Sequence, residues 1–265
     1  MKILLINPNR ELFPYPVIPL GLCYVASSLR ESGFDVKFLD LAFSYRIKQD
    51  IEKTLKSFQP DAVGISVRNI DNGEFLSTVY YLSDVKNIIE ICREISRAVI
   101  FIGGSAVNIS PLLLFQELNP DFAIAGDGER TASQLLNRLK EGSDISDTSG
   151  LVYMKNGKIK FNLPERRYDY GFNILSKVYQ WVSLKEYLKR GGIVPIQTKR
   201  GCHFNCIYCS YNRIEGTEFR LKPVPLVLDE IEEVIKNTGI RTFEFVDSVF
   251  NHPESDTIKL LEGIL

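Results

Sequence analysis

Ile193-Val194-Pro195-Ile196-Gln197-Thr198-Lys199-Arg200-Gly201-Cys202-His203-Phe204-Asn205-Cys206-Ile207-Tyr208-Cys209 decides how the chain is read. Ile193 to Thr198 predicts a buried strand, since a short apolar run bounded by turn residues fits one covered on both faces. Lys199-Arg200-Gly201 is a basic turn. Three thiols follow at C-x3-C-x2-C spacing. The order strand, turn, thiols puts the cysteines on a loop at the carboxyl end of a strand, the functional edge of α/β proteins.

Thiols crowded in this way point to a metal centre. An iron–sulfur cubane takes one Cys thiolate per iron when fully protein-ligated. Three thiolates leave one iron open, as a catalytic zinc site keeps one position for substrate. A structural zinc site is the alternative, with His203 as a fourth ligand. Zinc motifs usually pair two ligands with two more some distance on, however, and no second pair follows. Disulfides belong to oxidising compartments, and nothing in the chain suggests one. Cys23 and Cys92 fall in helical patterns and read as small core residues.

The chain has 265 residues, enough for one or two domains. With 45% hydrophobic and 25% charged residues it has the balance of a water-soluble globular protein. A net charge of −1 gives no electrostatic case for nucleic acid or an anionic membrane. No apolar run approaches the roughly 18 residues of a membrane span. Met1-Lys2-Ile3-Leu4-Leu5-Ile6-Asn7-Pro8 lacks the tripartite form of a signal peptide and reads as a first strand. A cytoplasmic protein with reduced thiols is expected.

Up to about residue 141, short apolar runs alternate with amphipathic stretches. The runs are Lys2–Ile6, Val36–Leu39, Ala62–Ser66, Val99–Ile102 and Phe122–Ala125. Continuous apolarity predicts strands covered on both faces, hence a parallel sheet. Helices are predicted over Leu20–Glu31 with Gly33 as cap, Ile47–Phe58 before Pro60, Ser83–Ser96, after an N-cap at Ser110 with Pro111 first, and Glu129–Glu141. Five such units make a doubly wound sheet, which binds ligands at the carboxyl ends of its strands. Those ends are Asn7-Pro8-Asn9-Arg10, Ser66-Val67-Arg68-Asn69, Gly103-Gly104-Ser105 and Gly126-Asp127-Gly128-Glu129. None forms G-x-G-x-x-G or a P-loop, and Gly126-Asp127-Gly128 alone reads equally as a plain turn. Together they suggest a ligand other than a simple dinucleotide.

Residues 142–192 read as a linker. Within it, Leu151–Met154 and Lys158–Phe161 flank Lys155-Asn156-Gly157, a hairpin with a tight Asn-Gly turn. Tyr168, Tyr170, Phe172, Tyr179, Trp181 and Tyr187 follow, either as packing or as substrate contacts. A second βα series starts at Ile193. Pro225–Lys236 predicts a helix with Asp229, Glu230, Glu232 and Glu233 on a solvated face. Thr242–Val246 predicts a strand ending at Asp247, and Pro253–Leu265 another helix. Polar groups at a strand end read as site residues, with a helix N-cap near Ser255 or Asp256 as the plainer alternative.

C-x3-C-x-aromatic-C after a strand resembles the cluster loop of the radical S-adenosylmethionine (SAM) family. The resemblance implies a [4Fe-4S] cluster on Cys202, Cys206 and Cys209, with the open iron holding the amino and carboxylate groups of SAM. Tyr208 would pack near the adenine, and Glu244 and Asp247 would approach SAM. Pro16-Val17-Ile18-Pro19-Leu20-Gly21-Leu22 before a helix, Gly103-Gly104 after a strand and Gly126-Asp127-Gly128-Glu129 before another resemble the cobalamin-binding domain of the cobalamin-dependent class. By this analogy Ser66, Gly103, Gly104, Gly126 and Glu129 line the slot for the nucleotide tail. One departure matters. Cobalamin domains of the mutase type carry D-x-H-x-x-G, whose His binds cobalt. The only histidines here, His203 and His252, lie outside the first domain. The expectation is therefore a displaced tail base with Arg68 or Asn69 beneath cobalt and no strong bond. The alternative is a surface loop with a capping Asp71.

The resemblance thus implies an α/β chain in three parts. Residues 1–141 would form a flavodoxin-like, doubly wound cobalamin-binding domain, residues 142–192 the linker, and residues 193–265 the start of a radical SAM partial (β/α) barrel. Two βα units cannot close a barrel or cover its sheet edges, so a truncated piece is expected. The implied function is a methyltransferase acting on an unactivated carbon of a small molecule or peptide, with an external electron donor. A corrinoid-binding module without chemistry and a zinc-stabilised interaction protein are the alternatives.

Overall fold

The computed structural model describes residues 1–165 and 178–265, and the chain divides into two compact units. One is Met1–Glu11 with Ser28–Glu165; the other is Leu12–Ser27 with Arg166–Leu265.

In the first unit the apolar runs form strands β1 (Lys2–Asn7), β2 (Asp35–Asp40), β3 (Ala62–Ser66), β4 (Val99–Gly103) and β5 (Phe122–Ile124). All five pair in parallel, in the order β2-β1-β3-β4-β5. Ile3, Leu4, Leu5 and Ile6 of β1 are fully buried, as a strand covered on both faces must be. The connections are helices: α1 (Leu20–Glu31), whose residues up to Ser27 belong to the second unit, α2 (Ile47–Phe58), α3 (Leu82–Ile95), the short α4 (Ser105–Ile109), α5 (Pro111–Leu118) and α6 (Gly128–Glu141). On α3 the period of 3.6 shows directly, since Val85, Ile88, Ile89 and Cys92 are buried. The strand order reverses between β1 and β3, which makes the edge between their carboxyl ends the switch point where such sheets bind ligands.

The Asn-Gly hairpin forms as read, with Asn156 and Gly157 both at positive φ, 53° and 70°. It is not a free linker element. Its strands β6 (Leu151–Lys155) and β7 (Lys158–Phe161) extend the sheet antiparallel from β5, giving seven strands. Leu151 and Val152 are fully buried there, and that burial draws the hairpin onto the sheet. Ser110 precedes Pro111 as expected, but its side chain makes no capping bond.

In the described part of the second unit, a 3-10 turn (Val178–Trp181) and α7 (Leu184–Leu188) lead to β8 (Val194–Ile196). After β8 come β9 (Lys199–Arg200), α8 (Tyr211–Glu215), β10 (Arg220–Leu221), α9 (Val224–Thr238), β11 (Phe243–Phe245) and α10 (Glu254–Ile264). Strand β8 pairs in parallel with β11, and β9 pairs antiparallel with β10. Tyr179 and Tyr187 are buried, and Trp181 donates its indole N–H to Ser27 Oγ at 2.9 Å, so these three aromatics pack. Tyr168, Tyr170 and Phe172 lie outside the described residues.

Two expectations need correction. Glu230 is not on the solvated face of its helix. It is 5% exposed and accepts hydrogen bonds from the Lys222 ammonium and the Tyr179 hydroxyl. Burial of a carboxylate is tolerable only with such partners. The same surroundings push the Tyr179 hydroxyl well above its ordinary pKa, through burial first and the Glu230 charge second, so it stays a donor. Neither Ser255 nor Asp256 caps α10, which begins at Glu254 after Pro253.

Candidate functional site

At the carboxyl edge of the first sheet, three loops interlock through main-chain and short side-chain bonds. Ser66 stands opposite Gly103 in the β3–β4 register. Val67 N donates to Gly103 O at 2.7 Å, Ala106 N to Val67 O at 3.1 Å, and Ser105 Oγ to Arg68 O at 2.6 Å. Asn108 carries the lock to the next loop, accepting the Gly126 N–H at 2.7 Å. Gly104 sits at φ 110°, and a Cβ there would meet Val67 O at 2.6 Å. Only glycine allows this approach. Gly104→Ala is expected to cost about 1–3 kcal/mol of stability, by backbone strain and overpacking, in a urea titration.

The side chains at this edge are accessible. Ser66, Gly103, Gly104, Gly126 and Glu129 are half-buried, and Arg68 and Asn69 are exposed. The Arg68 guanidinium makes no hydrogen bond or ion pair among the described residues. Beyond it the chain turns back on itself: Asp71 bridges Tyr80, Gly73 N donates to Asp71 Oδ1 at 2.8 Å, and Tyr81 N donates to Ile70 O at 2.9 Å. Asp71 thus caps a turn of its own loop. The Tyr81 hydroxyl donates to Glu11 at 2.6 Å, tying this loop to the one after β1. Burial first and Glu11 second push that hydroxyl up to a pKa of about 12.

In the second unit the thiols lie on one loop between β9 and β10. Cys202 is buried at its root, Cys206 is exposed, and Cys209 is half-buried one turn on, its N–H donating to Cys206 O at 3.1 Å. Tyr208 is fully out in solvent. All five cysteines are free thiols. Among the described residues no set of three or more His, Cys, Asp or Glu side chains converges as a metal site. His203 packs against Phe204, Phe219 and His252, ring to ring at 4.3, 4.8 and 4.9 Å. Burial alone pushes the Cys92 thiol up to a pKa of about 12. The thiolate is the nucleophile, so maleimide at neutral pH should label Cys206 and Cys209 rapidly and leave Cys92 unlabelled until the protein unfolds. Peptide mass mapping with and without denaturant checks this.

The two carboxylates at the end of β11 differ. Glu244 is half-buried and accepts the Tyr15 hydroxyl at 3.1 and 3.3 Å. The Asp247 carboxylate is fully buried. It accepts from Thr198 N at 2.7 Å, Thr198 Oγ1 at 2.6 Å, Lys199 N at 3.1 Å and Lys199 Nζ at 3.3 Å. With both oxygens engaged just past the end of β8, Asp247 holds the root of the thiol loop. Sequence reading missed the buried cations around this root: Lys199, Arg200, Arg220 and Lys222 are all under 8% exposed. Spacing alone carries no sign of this, because basic residues near a turn read as solvated.

The model of the B12-binding domain family matches residues 8–136. An uncharacterized methyltransferase of Pyrococcus horikoshii is 32% identical over 260 residues, covering 94% of this chain and 54% of the relative. Tryptophan 2-C-methyltransferase of Streptomyces laurentii is 24% identical over 98% of this chain and 51% of its own. The solved radical SAM methyltransferase TsrM of Kitasatospora setae, with cobalamin and a [4Fe-4S] cluster bound, superposes with a TM-score of 0.87 at 26% identity. That match covers 98% of this chain and 51% of the solved one. The chain therefore spans about half the length of the relatives it matches.

Proposed function

We propose that this chain belongs to the cobalamin-dependent radical SAM enzymes and that the whole protein is a methyltransferase acting on an unactivated carbon of a small molecule or peptide. The observation that carries the reading is the coexistence of two features in one chain: a doubly wound sheet with an open, glycine-lined carboxyl edge, and a strand-end loop bearing three free thiols. The division into a domain of residues 1–141, a linker of 142–192 and the opening of a catalytic domain at 193–265 belongs to the same proposal.

The residues fit both groups. Three free thiols on one loop suit an iron–sulfur cubane with one open iron. The half-buried Ser66, Gly103, Gly104, Gly126 and Glu129 offer accessible main chain for a nucleotide tail. When bound, the cluster with SAM supplies a 5′-deoxyadenosyl radical and the corrinoid supplies the methyl group. The chain's own part is to bind, orient and exclude water. Cys202, Cys206 and Cys209 would hold the cluster and Tyr208 would flank the adenine; Glu244, which accepts the Tyr15 hydroxyl, and Asp247, which also positions the loop root, would approach SAM. Reducing equivalents come from an external donor, and a cytoplasmic setting keeps the thiols reduced. No helix among the described residues is long and apolar enough to cross a membrane.

Arg68 or Asn69, exposed beyond β3 and without a histidine beside it, would face the corrinoid without supplying a strong cobalt ligand. The Co(II) form is then expected to show an electron paramagnetic resonance (EPR) spectrum without nitrogen splitting from a lower axial ligand; a clear nitrogen triplet would refute this placement. The reading as a whole is tested by anaerobic reconstitution with iron, sulfide and hydroxocobalamin. About four irons and one retained corrinoid per chain support it. Zinc with no corrinoid overturns it.

A further inference from the structure

The thiol loop is closed at its neck by one carboxylate that none of the expected site residues includes. Glu215, the last residue of α8, accepts from Gln197 Nε2 at 3.0 Å with one oxygen and from Gly201 N at 3.1 Å with the other. It thereby joins the end of β8 to the peptide that precedes Cys202. Arg200 Nε braces the same Gln197 at 3.0 Å, and Arg220 Nη2 donates to the Glu215 carbonyl at 2.7 Å. Cys202 N donates to Gly216 O at 3.0 Å, and Ser248 Oγ to Gly201 O at 3.0 Å. Gly201 itself sits at φ 87°, where a Cβ would meet Glu218 O at 2.0 Å, so the backbone entering the first thiol is tightly enclosed. The arc beyond, His203 to Tyr208, is exposed.

From this contrast between a clasped root and an open arc, we propose that Glu215 is a positioning residue for the iron–sulfur cluster. Its carboxylate fixes the peptide at Gly201, and so the direction in which Cys202 leaves the root, while Cys206 and Cys209 close in from the arc. The proposal rests on the reading that the thiols hold a cluster. It carries a second, electrostatic consequence. A cubane on three thiolates is anionic and becomes more so on reduction. A carboxylate hydrogen-bonded one peptide away opposes that added charge. Removing the charge must therefore make the cluster easier to reduce.

The test uses full-length protein reconstituted anaerobically as wild type, Glu215→Gln, Glu215→Asp and Glu215→Ala. Iron content, the EPR spectrum of the reduced cluster and the midpoint potential are read beside far-ultraviolet circular dichroism. Glu215→Ala is expected to keep the fold but retain less than half the wild-type iron after desalting. Glu215→Gln, isosteric but uncharged, is expected to keep most of its iron with the midpoint moved to less negative potential. Glu215→Asp should restore the wild-type potential. If the alanine variant does not fold, the glutamine and aspartate variants decide through their potentials. Wild-type iron content and potential in every folded variant would overturn the proposal. A wild-type protein that takes up no iron overturns the family reading itself, and the clasp with it.

Discussion

Serine in place of any one of Cys202, Cys206 or Cys209 is expected to take the reconstituted protein from about four irons to fewer than about one, with loss of the charge-transfer absorption of the cluster. Two thiolates cannot hold a cubane that already leaves one iron open. The hydroxyl of serine is a poor soft-metal ligand, so the isosteric change does not compensate. Serine at Cys23 or Cys92 should leave the iron count unchanged, since both are buried core residues. Corrinoid retention by the first unit should survive all five substitutions. Full iron content in a Cys206→Ser variant would remove Cys206 from the ligand set.

The largest effect on stability is expected at Glu230. Glu230→Ala strands the Lys222 ammonium, 4% exposed, without its counter-charge and removes one of the two acceptors of the Tyr179 hydroxyl, leaving the Pro195 carbonyl. Breaking a buried pair from one side typically costs about 3–5 kcal/mol, because the orphaned ion keeps its desolvation penalty. In a protein of this size that corresponds to a fall in Tm on the order of 10 °C. Replacing both partners with apolar residues, Lys222→Met with Glu230→Leu, removes the orphan and should recover most of the loss. A double-mutant cycle by thermal denaturation separates the coupling from the single costs. A Glu230→Ala variant as stable as wild type would mean that water reaches the pair.

The sheet was legible because its signal is redundant. Lys2–Ile6, Ala62–Ser66 and Val99–Ile102 are continuously apolar, and helices of matching period lie between them, so each element supports its neighbours. The hairpin turn was legible from Asn156-Gly157 alone, but its docking was not. Joining β5 is a long-range choice driven by the burial of Leu151 and Val152, and local sequence carries no record of it. The thiol loop stood out because C-x3-C-x2-C is dense and rare. Its support did not, since the residues that hold it are scattered: Gln197, Glu215, Arg220 and Asp247 meet only in three dimensions. Glu230 illustrates the same limit. An acidic run on an amphipathic helix predicts a wet face, and only the facing Lys222 and Tyr179 reverse that prediction.

Residues 12–27 interrupt the first unit and pack with the second, so the backbone passes from one unit to the other three times. No single scission can part the two, because every cut leaves at least one fragment that holds residues of both units. The modularity suggested by a linear map of domains is therefore not a modularity of the chain. Exchanging the corrinoid-binding half with a relative's takes three junctions rather than one, and Leu12–Ser27 has to stay behind with the thiol-bearing half.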